Sequence, residues 1–101
     1  MKVIEMKGQK VELGPGVHGY EAEATVTGPD GKNVFVHGES FDDSFNLTVT
    51  EESLYGTVAE GDDLDRVDCL ERYSGVGDTT KSKYHKVFLV IDQMIQLMEG
   101  Y

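Results

Sequence analysis

The sequence predicts an α+β fold: an antiparallel β-meander of about five strands packed on one face by a long C-terminal helix, with a short acidic helix before it. Three observations carry this expectation. Apolar and polar residues alternate with period two through the first two thirds of the chain, glycine- and aspartate-rich turns separate the alternating runs, and the last part changes to three- and four-residue apolar spacing. The chain has 101 residues and an apolar fraction of 39%. That suits one domain, 1–101, mainly β over 1–60 and mainly α over 61–101.

Lys2 to Met6 and Lys10 to Leu13 read as strands that flank a tight turn at Lys7-Gly8-Gln9. The next run, Gly14-Pro15-Gly16-Val17-His18-Gly19, has the G-x-G-x-x-G spacing of a dinucleotide loop. That site needs a helix N-terminus behind it, and the segment from Tyr20 onward is a strand, so the run reads as a connection. Tyr20, Ala22, Ala24 and Val26 alternate with Glu21, Glu23, Thr25 and Thr27, the mark of a strand with one buried and one wet face. Gly28-Pro29-Asp30-Gly31-Lys32 supplies a tight turn, and Asn33 to His37 runs back. After a turn at Phe41-Asp42-Asp43, Ser44 to Thr50 alternates again, and a short sixth strand is expected over Ser53 to Val58. The polar sheet face of Glu and Thr is expected to stay wet, which leaves one face to bury.

The cover is expected from a helix over about Ser82 to Glu99, where Tyr84, Val87, Phe88, Ile91, Ile95 and Met98 recur at helical steps and Gly100 ends the run. Val90, Met94 and Leu97 form a second stripe. So broad an apolar arc predicts a homodimer through this helix. Asp62 to Tyr73 reads as the short acidic helix, with Leu64, Val67 and Leu70 on one face and Asp62 or Asp63 as its cap. Gly75 to Thr80 reads as a loop.

Charge gives the functional lead. The net charge of −10 arises wholly between Glu39 and Glu71, which hold eleven acids against one base, Arg66, while the rest of the chain has eight of each sign. The acids are Glu39, Asp42, Asp43, Glu51, Glu52, Glu60, Asp62, Asp63, Asp65, Asp68 and Glu71. Such a field repels nucleic acid and anionic membrane and attracts basic proteins. The bland reading is a solvated face. The functional reading is a non-catalytic interaction module in which Asp42, Asp43, Glu51, Glu52, Glu60, Asp62, Asp63, Asp65, Asp68 and Glu71 of this acidic face bind a basic protein partner, as a nucleic-acid mimic or inhibitor, with no direct nucleic-acid or membrane contact. Lys81, Lys83 and Lys86 stand where a helix dipole disfavours cations, so they are expected to fold back on Asp62, Asp63 and Asp65.

Other chemistry finds little support. Residues 60–68 do not match an EF-hand loop, and no metal or cofactor is expected. Cys69 lies beside Asp68 and Glu71, which disfavour a thiolate, and reads as a small hydrophobe. His18, His37 and His85 show no ligand spacing. The pairs Asp42-Asp43 and Glu51-Glu52 could serve acid and base chemistry only in a pocket that separates their pKa values. The alternative function is a small-ligand-binding protein or enzyme whose pocket lies between sheet and C-terminal helix, lined by Tyr20, Phe45, Tyr84 and Phe88. A start without the long apolar run of a secretory signal, and a single cysteine, lead to a cytoplasmic expectation.

Overall fold

The structure, a computed structural model, describes residues 2–41, 44–51 and 69–100. Five strands, β1 (Lys2–Gly14), β2 (Val17–Thr27), β3 (Asn33–Phe41), β4 (Ser44–Glu51) and β5 (Glu71–Tyr73), form one antiparallel sheet in chain order. A helix, α1 (His85–Glu99), comes after a 3-10 turn at Val76–Thr79 and packs on one sheet face. The α+β meander expected from the alternation is therefore present.

The β2–β3 hairpin shows how turn chemistry sets register. Gly28 donates its N–H to the Lys32 carbonyl at 2.9 Å, Gly31 donates to the Gly28 carbonyl at 3.0 Å, and Asp30 Oδ1 accepts from the Lys32 N–H at 3.0 Å. Gly31 takes φ of 82°, which a side chain disfavours. The turn locks Thr27 opposite Asn33, and a Thr27 hydroxyl bond to Asn33 Oδ1 at 2.7 Å closes the hairpin end.

Two local expectations are corrected. Lys7-Gly8-Gln9 is not a turn: β1 runs unbroken from Lys2 to Gly14, and the chain reverses at Pro15-Gly16, where Gly16 has φ of 76°. Gly8 serves packing instead, since a Cβ there would meet Met98 Cε at 3.0 Å and Met94 Cε at 3.3 Å. Residues 71–73 are strand β5, not the end of a helix, and Tyr73 stands opposite Leu47. Tertiary packing overrides the helical spacing there. The Tyr73 ring meets Phe88 edge-on, with centroids 5.6 Å apart, while Leu70 of the supposed helical stripe is exposed. The strand expected over Ser53 to Val58, the helix from Asp62 to Asp68 and the turn residues Asp42 and Asp43 lie outside the described residues.

One core joins the layers. Ala22, Ala24, Val26, Val34, Val36, Leu47 and Val49 face Tyr84, Val87, Phe88, Ile91 and Ile95, all buried. Burying each large apolar side chain stabilises by about 1.5–3 kcal/mol. Small residues on β2, and Gly38 on β3, let the helix approach closely. The helix begins at His85, later than the expected Ser82, because residues 82–84 are spent on a turn in which Ser82 Oγ accepts the Tyr84 N–H at 3.1 Å. The buried Thr79 hydroxyl donates to the Val76 carbonyl at 2.7 Å and is hydrogen-bonded to His85 Nδ1 at 2.8 Å, which ties the first turn down. Gly100 ends α1 and donates its N–H to the Leu97 carbonyl at 3.2 Å. Of the second stripe, Met94 packs against the core margin whereas Val90 and Leu97 stay exposed. No helix among the described residues is long and apolar enough to cross a membrane.

Candidate functional site

Of the acids that the charge pattern singled out, Glu39, Glu51 and Glu71 fall among the described residues, while Asp42, Asp43, Glu52, Glu60, Asp62, Asp63, Asp65 and Asp68 do not. The three are not gathered in one place. Glu51 is exposed at the end of β4 and borders an open cleft of about 540 Å³ with Asp30, Lys32, Lys83 and Tyr84. Glu71, on β5, accepts a hydrogen bond from the Tyr73 hydroxyl. Glu39 lies on the sheet face away from α1, opposite Glu21 of β2. Lys81, Lys83 and Lys86 are exposed, with Lys83 Nζ 5.4 Å from the Tyr84 ring centre; the aspartates expected to meet them lie outside the described residues. Cys69 is half-buried, and Arg72 Nη2 approaches its Sγ at 3.5 Å.

The aromatic set of the alternative reading splits between core and margin. Tyr84 and Phe88 are buried in the core, and Tyr20 and Phe45 pack against its edge. Their apolar bodies meet core side chains, and the cleft at Glu51 borders Tyr84 alone of the four.

A different cluster emerges on the sheet face away from α1. The β2–β3 register puts Glu21 opposite Glu39 and Glu23 opposite His37, and the next strand puts Thr48 opposite His37. Because side chains alternate, Glu21, Glu23, His37, Glu39 and Thr48 share this face. One ligand-capable atom from each of Glu21, His37 and Glu39 lies within 4.8 Å of the others. His37 Nε2 is 3.5 Å from Glu21 Oε2, the Gln9 amide donates to Glu21 Oε1, and Lys7 Nζ is 3.3 Å from Glu23 Oε1.

This face is drier than the alternation implied. His37 is 6% exposed, Thr48 1% and Thr50 3%. All three sit on the inner strands β3 and β4, where His37 lies between Glu23 and Thr48, and Thr48 between His37 and Arg72. His37 Nδ1 and Thr48 Oγ1 are buried without a hydrogen-bond partner among the described residues. An orphaned polar atom of that kind is costly to keep.

Electrostatics at the cluster favour the ionised Glu21. Its hydrogen bond to His37 lowers the carboxyl pKa below the ordinary 4.5, against the opposing push of burial, and the Gln9 bond and the Lys7 charge add to the lowering. A carboxylate whose folded pKa is depressed contributes stability above its unfolded pKa and loses it as pH falls through the folded value. Acid unfolding of Glu21→Gln is therefore expected to be less steep below pH 4.5 than that of wild type. Parallel acid limbs in urea-unfolding series of the two proteins would contradict it.

No short motif announces this cluster, because its members are separated in sequence by sixteen and two residues. The signal was nonetheless present. Counting outward from the Gly28–Lys32 turn places His37 and Glu39 on the face that carries Glu21 and Glu23.

Fold and site together define a small α+β meander with one face packed under a helix and the other carrying charged and buried polar groups. Comparison with protein-family models, curated proteins and solved structures gave no match.

Proposed function

We propose that this protein is a non-catalytic interaction module whose acidic region, Glu39 to Glu71, engages a basic protein partner. The observation that carries the reading is the segregation of charge: the whole net charge of −10 falls in that stretch. Such a field speeds encounter with cations and repels polyanions. The strands extend this support, because Glu39 at the head of the stretch shares a rigid, hydrogen-bonded sheet face with Glu21 and Glu23. Carboxylates fixed on strands keep their spacing, as imitation of a phosphate backbone requires.

The test compares wild type with the quadruple variant Asp62→Asn, Asp63→Asn, Asp65→Asn, Asp68→Asn in affinity capture from lysate. Basic proteins that elute from wild type at raised salt are expected to be lost from the variant. Identical partner sets would refute the proposal.

A further inference from the structure

We infer that Glu21, His37 and Glu39 form a binding site for a divalent transition-metal ion on the sheet face away from α1. The first argument is the donor set. Glu21 and Glu39 stand directly opposite each other on adjacent strands, and the His37 ring offers a nitrogen beside them. A divalent cation can take both carboxylates and the imidazole lone pair.

Geometry is the second argument. Metal bonds of about 2.0–2.2 Å to nitrogen and oxygen set neighbouring ligand atoms roughly 3 Å apart. The His37 to Glu21 separation of 3.5 Å is close to that, and all three donor atoms already fall within 4.8 Å, a gap that side-chain rotation can close. Both strands are held by the tight hairpin at Gly28–Lys32, so the donors are brought together before any ion arrives.

Burial supplies the third. His37 is 6% exposed, so packing fixes its ring, and Nε2 is the nitrogen turned to Glu21 at 3.5 Å.

The donor set selects the ion. One imidazole with two carboxylates suits zinc, manganese, cobalt or iron, whereas calcium and magnesium prefer oxygen alone. The site shares Glu21 and Glu39 with the sheet face invoked above, yet it stands on the nitrogen ligand rather than on the charge of the acidic stretch. The acidic stretch would attract calcium as readily as cobalt, and the nitrogen ligand is what separates the two.

The experiment titrates full-length apo protein with cobalt chloride, zinc chloride and calcium chloride, monitoring heat and the visible cobalt spectrum. Cobalt and zinc are expected to bind in a one-to-one ratio, with cobalt bands that report nitrogen coordination. Glu39→Gln and His37→Ala are each expected to weaken binding by roughly tenfold or more, since even indirect supports of a ligand cost that much. Because His37 is buried, circular dichroism of His37→Ala must match wild type; if that variant does not fold, Glu39→Gln decides alone. No cobalt or zinc binding at millimolar metal overturns the inference. Binding that survives Glu39→Gln, or that calcium reproduces with equal affinity, overturns it too.

Discussion

Phe88→Ala is expected to lower the free energy of unfolding by about 3–5 kcal/mol, the range for deleting a buried phenylalanine ring. Small domains hold only about 5–15 kcal/mol in total, so this one change removes a large share. The position explains the size. Phe88 is fully buried in α1, faces the sheet, and meets Tyr73 of β5 edge-on at 5.6 Å. Its removal therefore loosens helix and edge strand together. β5 has three residues and lies at the sheet edge beside β4. The urea midpoint should fall with the slope unchanged, because the surface exposed on unfolding stays nearly the same. Phe88→Leu keeps most of the volume and should cost much less, under about 1.5 kcal/mol. A loss below about 1 kcal/mol for Phe88→Ala would mean that the ring is not the link between these layers.

What could be read in the sequence was whatever depends on neighbours in the chain. Alternation from Tyr20 to Thr27 and from Ser44 to Thr50, and the apolar steps from Tyr84 to Ile95, are local, and the structure realises each as strand or helix. The failures share a cause of the opposite kind. Gly8 looks like a turn residue locally, yet its lack of a side chain makes room for Met94 and Met98, some ninety residues away. Glu71 to Tyr73 continues a helical spacing, yet a place beside β4 and the ring of Phe88 draws it into the sheet.

The site was hidden for a related reason. Ligand motifs in sequence work when one helix or loop supplies the donors, as in His-x-His or His-Glu-x-x-His spacing. Here the donors come from two strands, and only the register of the β2–β3 hairpin unites them. Glu21 and Glu23 read as ordinary wet-face residues, and His37 as a solitary histidine, until the turn is used to count across. The charge pattern, by contrast, is visible without any structure, but it says where acid is abundant rather than which acids meet.

Gly38→Ala is expected to destabilise by about 1–3 kcal/mol, the cost of forcing extra atoms into a filled core. The direction runs against the usual advantage of replacing glycine, which restricts the unfolded chain and stabilises by about 0.4–1 kcal/mol where the new side chain fits. At Gly38 it does not fit. A Cβ would lie 2.6 Å from Ile91 Cγ2, 3.0 Å from Leu47 Cδ2 and 3.3 Å from Ile95 Cδ1. The nearest of these is a methyl on the β-carbon, close to the helix backbone, so relief requires α1 to move rather than a side-chain tip to swing aside. Gly75→Ala provides the contrast, since no atom lies within 4 Å of its Cβ position and its φ of −176° is extended backbone open to any residue. That variant should be neutral or slightly stabilising. A double-mutant cycle isolates the contact: Ile91→Ala alone should cost about 2–5 kcal/mol. In the Gly38→Ala background it should cost less, because the methyl it removes is the one in the way. Simple additivity would show that the strand and the helix do not press on each other at this point.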